Sequence, residues 1–213
     1  SHPVICVDVQ PEYANYGNNA RKCEKIINFV VNQTGPVLMF VNAEETGLSS
    51  DSIESIKEYW ETTINDDQKS QLYDEDLDDY VDNPDFTEID WSRFEIIDKG
   101  FGYLRSWHDN GIDDATIIKA IRLMYQERVS DSRQLFGGKN SEEYESKMEE
   151  LLGADVHIGL SDPIIVNWVS IKKLKQYTGA YVVGGGRDEC LWEIRILMNA
   201  FNIRAKLIDS LIY

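Results

Sequence analysis

Short, wholly apolar runs alternate along this chain with stretches in which apolar residues recur every three or four positions. Val4-Ile5-Cys6-Val7-Asp8-Val9 is the first such run and reads as a buried strand ending in a carboxylate. From Asn19 to Asn32, the residues Ala20, Cys23, Ile26, Ile27 and Val30 fall at helical spacing, so an amphipathic helix is expected there. The turn signal Thr34-Gly35-Pro36 introduces a second buried strand, Val37-Leu38-Met39-Phe40-Val41. Ser50 or Asp51 caps a helix running to about Thr62, with Ile53, Ile56 and Trp60 turned inward. Apolar strands alternating with helices imply a mainly parallel sheet covered on both faces, a three-layer α/β/α fold.

Residues 66–91 break this rhythm. Asp and Glu dominate, with Leu72, Tyr73, Leu77, Tyr80 and Phe86 interspersed, which reads as a solvated acidic excursion pinned to the body by its aromatics. Asp74, Asp76 and Asp78 have the first spacings of a calcium loop. Asp79 stands where that loop needs glycine, however, and Asp85 where it needs glutamate. Phe94-Glu95-Ile96-Ile97-Asp98 is a third strand, ending at Lys99-Gly100-Phe101-Gly102-Tyr103. Helical patterns follow from Asp113 to about Val129 and from Ser141 to Leu152, joined by a linker containing Gly137-Gly138. They suggest an inserted helical subdomain or lid over residues 105–165. Ile164 to Trp168 is an apolar run of either type, and Ile171 to Tyr177 reads as helix. Ala180 to Val183 is a strand, the helix after it carries Leu191, Ile194, Leu197, Met198 and Phe201, and Ala205 to Ile208 is a last strand. One α/β domain over residues 3–213 accommodates all of this.

Composition narrows the function classes. The 213 residues carry 21 Lys and Arg against 38 Asp and Glu, a net charge of −17. Such a surface repels phosphate backbones and anionic membranes, so neither nucleic acid nor membrane is an expected partner. No run of about 20 apolar residues is present to span a bilayer, and no signal peptide is visible. Ser1-His2 before Pro3 resembles a tag remnant and is set aside. Cys6, Cys23 and Cys190 are too few for a disulfide framework, which suits a reducing, cytoplasmic setting.

The chemistry gathers at strand ends. Cys190 lies in Gly184-Gly185-Gly186-Arg187-Asp188-Glu189-Cys190-Leu191, where a strand runs through three glycines into a helix. Helix N–H groups and the helix dipole favour a thiolate, or an oxyanion beside it, at such a place. Asp8 and Lys99 end two other strands. A carboxylate can take the thiol proton, and an ammonium stabilises the anion that remains. In open parallel sheets, ligands bind outside the carboxyl ends of the strands, so all three can converge on one pocket.

On these residues the chain resembles the isochorismatase-like (cysteine hydrolase) superfamily. Asp8-Val9-Gln10-Pro11-Glu12-Tyr13 is similar to its D-x-Q-x-x-[FY] pattern. Lys99 looks like the family lysine, with Phe101 and Tyr103 near its usual aromatic neighbours, and Gly184 to Leu191 is similar to G-x-x-T-[DE]-x-C-V. The resemblance implies Cys190 as nucleophile, Asp8 as general base and then acid, and Lys99 as electrostatic partner. It also implies hydrolysis of a small amide or carbamoyl C–N bond, no cofactor, and a homo-oligomer, dimer or larger. Gln10 would be a pocket group or a brace behind it, and Gly185 and Gly186 lie near where many members carry a cis peptide. Trp107 and His108, just past the lysine loop, are further pocket candidates.

The chain also departs from that pattern. Arg187 replaces a threonine, and Glu189 places negative charge directly before the cysteine. Val41-Asn42-Ala43-Glu44 offers no Asp-x-His, and the three histidines are isolated, so no metal is expected. Two function classes therefore stand: a cysteine-dependent hydrolase, and a catalytically silent fold that binds a basic partner through its acidic surface.

Overall fold

The computed structural model describes residues 2–44, 49–66, 68–99, 104–128, 141–153 and 172–213. Its centre is a five-stranded sheet of β1 (Val4–Val7), β2 (Val37–Val41), β5 (Phe94–Asp98), β6 (Gly179–Gly184) and β7 (Arg204–Ile212) in the order β5-β2-β1-β6-β7. Every neighbouring pair in this sheet is parallel. β1 is central, and its four residues Val-Ile-Cys-Val are all buried. Parallel strands need crossovers, and the crossovers place helices on both faces.

Side-chain alternation along β1 and β2 assigns the two faces. Val4, Cys6, Met39 and Val41 pack beneath α2 (Asn19–Val31) and α3 (Ile53–Asn65), meeting Cys23, Ile26, Ile27, Val30, Ile56 and Trp60. Preceding them, α1 (Pro11–Ala14) is a single turn. Ile5, Val7, Leu38 and Phe40 face the opposite layer of α4 (Leu104–Asp109), α5 (Asp114–Arg128), α6 (Ser141–Leu152) and α7 (Cys190–Ala200). The described helices of the 105–165 interval thus bury Trp107, Ile117, Ile121, Met124 and Met148 in that second layer. The linker at Gly137-Gly138 and the run from Ile164 to Trp168 lie outside the described residues. The last strand extends to Ile212, four residues beyond its apolar pattern. No helix among the described residues is long and apolar enough to cross a membrane.

The acidic excursion contains an antiparallel hairpin of β3 (Gln71–Asp74) and β4 (Asp79–Asp82). The aromatics of the hairpin itself, Tyr73 and Tyr80, do not pin it. Leu72, Tyr73, Leu77 and Tyr80 are all exposed, because no third layer covers either face of a two-stranded ribbon. The segment is anchored further on, by buried Ile89, by Trp91 against Trp60 and Phe94, and by Asn65, whose side chain bonds both ways with the Thr87 backbone. Asp74 uses its carboxylate to accept the N–H groups of Asp76 and Leu77, closing the turn.

Gly184 ends β6 with φ +109°, and a Cβ there would lie 2.1 Å from the Val7 carbonyl oxygen of β1. Both the dihedral and the close strand approach exclude a side chain. Gly184→Ala is expected to cost at least about 2 kcal/mol, whereas Leu77→Ser in the exposed hairpin stays within about 0.5 kcal/mol. Equilibrium urea unfolding of the two variants checks both values.

Candidate active site

β1 ends at Asp8, which turns into the left-handed region (φ 56°), a conformation aspartate tolerates better than most residues. Its N–H still bonds to the Phe40 carbonyl at 2.9 Å, so the turn is tied to the end of β2. Lys99 follows β5 and is fixed the same way, through its N–H to the Val41 carbonyl at 2.9 Å. In strand order β2 separates these two residues, about 10 Å of sheet. The lysine stem crosses that gap, and Nζ hydrogen-bonds and ion-pairs with Asp8 Oδ1. The side chains are 1% and 2% exposed, so the pair is dry.

Cys190 opens α7 after the β6 loop, on the other side of β1. It shares a pocket of about 640 Å³ with Asp8, Tyr13, Tyr16, Asn19, Gly186, Arg187 and Tyr213, among others. The pocket lies at the carboxyl edge of the sheet, where the chain order reverses about β1. The three residues expected at strand ends therefore meet at one place.

The glycine loop has several jobs. A Cβ on Gly185 would fall 2.3 Å from the Tyr213 ring, so this glycine seats the tyrosine. The Gly185–Gly186 peptide is cis. Alternate amides of the loop are occupied: Gly185 bonds to Val7, Arg187 to Tyr213, and Glu189 and Leu191 to Gly186. Among the described residues, the N–H groups of Gly186, Asp188 and Cys190 have no hydrogen-bond acceptor. They are the donors available to an oxyanion beside the thiol.

Electrostatics here differ from what the helix start suggests. The Cys190 thiol is pushed up to about 12. Burial is the main cause, followed by the Asp8 charge; Lys99 pulls the other way, and a hydrogen bond to Asp8 further favours the protonated thiol. One helix terminus does not offset this desolvation. Lys99 remains an ammonium: burial works against its charge, but the opposing pull, led by the charge and hydrogen bond of Asp8, outweighs burial and raises it. Tyr213, half-buried beside Cys23 and the Asp8 carboxylate, is held well above its ordinary value chiefly by its removal from water and stays a neutral donor, bonding to the Asp8 carbonyl.

The other sequence candidates divide. Gly186 lines the pocket and Gly185 lies under the Tyr213 ring. Gln10 does not line it. Its amide donates to the Asn42 carbonyl (2.8 Å), Asp51 Oδ2 (2.9 Å) and Ser49 Oγ (3.3 Å), and accepts from the Asn42 N–H (3.0 Å). It braces the end of β2 against the entry to α3. Trp107 is buried in the α4–α7 core rather than in the pocket wall. His108 is half exposed beside Trp192 and Asp114. Phe101 and Tyr103 lie outside the described residues. After Asp8, the carboxylate pressing on Cys190 is Glu193 rather than Glu189, which is exposed and lies 3.7 Å from Arg105 Nη1.

Glu193, Arg105 and Tyr213 were not singled out from the sequence, and Tyr13 entered only as the aromatic that closes the D-x-Q-x-x-[FY] resemblance. Glu193 left a signal: it sits three residues after Cys190, adjoining Ile194 on the helix face carrying Cys190, Ile194 and Leu197. Compared with family models, curated proteins and solved structures, the chain matches none.

Two outcomes follow from the buried charges. Asp8→Asn strands the Lys99 ammonium and is expected to cost roughly 3–5 kcal/mol, with Asp8→Asn/Lys99→Met regaining most of it in urea melts. Glu193 is pushed up to about 7, chiefly by burial, against the pull of Arg105 and Lys99. A raised folded-state value means stability is lost as pH climbs from about 4.5 through about 7. Glu193→Gln lacks that loss, so it should match the wild type near pH 4 and exceed it at pH 8 when urea midpoints are compared.

Proposed function

We propose that this pocket belongs to a cysteine-dependent hydrolase that cleaves a C–N bond of a small amide or carbamoyl compound through a covalent Cys190 intermediate. One observation carries the reading: a thiol and a carboxylate from two strand ends share one pocket, and an ammonium from a third strand end pairs with that carboxylate from behind. The resting thiol is protonated, with Asp8 as acceptor of its proton. When a carbonyl carbon reaches the sulfur, the proton passes to Asp8 and the S–C bond forms. Lys99 keeps the net charge of the buried group from becoming more negative than it can sustain. The oxyanion is met by the free amides of Gly186, Asp188 and Cys190.

Collapse of the tetrahedral intermediate breaks the C–N bond, and protonated Asp8 returns its proton to the leaving amine. Water then adds to the thioester, giving a proton to Asp8. The C–S bond breaks, the acid departs, and the sulfur recovers a proton. The cycle needs no metal or organic cofactor. Three free thiols suit a reducing, cytoplasmic environment. A homo-oligomer would contribute further pocket walls.

A second reading has its own support. The β3–β4 hairpin exposes Leu72, Tyr73, Leu77 and Tyr80 among carboxylates, a surface complementary to a basic protein. In that case the fold would serve as a binding module and Cys190 would be dispensable.

Intact-mass spectrometry after exposure to a panel of small amides and carbamoyl compounds tests the first reading. An acyl or carbamoyl adduct mapped to Cys190, with amine released, is the expected result. Asp8→Asn should lower adduct formation by at least about 100-fold, the usual range for loss of a general base. Amine release that persists in Cys190→Ala would defeat it.

A further inference from the structure

A carboxylate in the apolar stripe of a helix needs an explanation, and Glu193 is 1% exposed. It lies one turn after Cys190, on the same face of α7. Arg105 of α4 reaches it with Nε 3.2 Å from Oε1, while its Nη1 lies 3.7 Å from Glu189. Despite that separation, neither Arg105 Nε nor Glu193 Oε1 makes a well-directed hydrogen bond. The two charges face each other without being locked together. The charged groups around Glu193 are Arg105 from α4, Lys99 from β5, Asp8 from β1 and the cysteine on its own helix.

We propose that Glu193 and Arg105 form a positioning pair that sets the charge balance at Cys190, with Arg105 as a second cation for the thiolate and Glu193 as the group that holds and offsets it. The inference rests on Cys190 being the nucleophile of the proposed hydrolase. In its favour, Arg105 lies against both glutamates that flank Cys190 along the chain, and a Cys190 thiolate, once formed, would favour the Arg105 cation more than either of them. When Glu193 carries a proton, Arg105 keeps only the exposed Glu189 as a carboxylate partner, and more of its charge acts on the sulfur. When Glu193 ionises, it neutralises Arg105 and repels the thiolate directly. The fold therefore contains a proton-controlled brake on its own nucleophile.

The test is iodoacetamide alkylation of Cys190 from pH 5 to 9, followed by peptide mass spectrometry. At pH 8, Glu193→Gln should react about tenfold faster than the wild type, the effect of a one-unit fall in thiol pKa. Arg105→Gln should react more slowly than the wild type, and Arg105→Lys should recover part of the rate. The Glu193→Gln advantage should vanish near pH 5, where the wild-type carboxyl is protonated. An advantage that stays constant across pH, or acceleration by both Glu193→Gln and Arg105→Gln, would mean mere loosening of the pocket and overturns the proposal.

A second measurement does not depend on thiol reactivity. Cys190→Asp places a fixed negative charge near the sulfur position, and the carboxyl-carbon NMR titration of Glu193 should then move up by about one unit. An unmoved midpoint overturns the coupling. Coupling observed without any amide adduct in the mass survey would instead defeat the hydrolase reading and leave the pair standing.

Discussion

The buried ion pair between Asp8 and Lys99 is the constraint on which the rest of the site depends. Two charges removed from water are tolerable only together, so the ends of β1 and β5 must stay in register across β2. The N–H bonds of Asp8 to Phe40 and of Lys99 to Val41 provide that register from the backbone side. Once the pair is fixed, the carboxylate has one flank taken by the ammonium, and its other flank faces the loop that delivers Cys190. The glycines complete the placement by letting β6 approach β1 and by seating Tyr213 against the Asp8 carbonyl.

This arrangement also explains why the thiol is held neutral. A carboxylate, an ammonium and a thiolate side by side would carry a net negative charge in a nearly dry space. Because Lys99 is already engaged by Asp8, it cannot fully compensate a second anion. In the proposed hydrolase, the sulfur would keep its proton until a reaction could carry the charge away to an oxyanion. Burial thus trades resting reactivity for selectivity, since a protonated thiol ignores most electrophiles.

Much of the fold was legible because strand ends are legible. Apolar runs that stop at Asp8, at Lys99 and before Cys190 mark both the sheet and its functional edge, and parallel order follows from the alternation with helices. What escaped was set by partners distant in the chain. Gln10 reads as either a pocket group or a brace behind it, and only Asn42, Ser49 and Asp51, from a different part of the chain, decide for the brace by closing around its amide. Trp107 follows the lysine loop closely, yet α4 turns it into the core. The upward displacement of the thiol depends on desolvation, which no local pattern of residues reports. Glu193 was visible as a charge on an apolar helix face, but only Arg105, 88 positions earlier, gives it a meaning.

The hairpin of β3 and β4 has a consequence for how copies of this protein meet. A two-stranded ribbon leaves both its outer edges with unpaired amides and carbonyls, a template for lateral growth. Here the twelve residues from Gln71 to Asp82 include Asp74, Glu75, Asp76, Asp78, Asp79 and Asp82, with no lysine or arginine. Any second ribbon of the same kind arriving edge to edge would bring like charges into opposition around its turn, where five of the six carboxylates lie. The exposed tyrosines and leucines can remain sticky toward something else while being forbidden to one another. Electrostatic repulsion between identical surfaces thus serves as the guard that a covering layer provides elsewhere in the sheet.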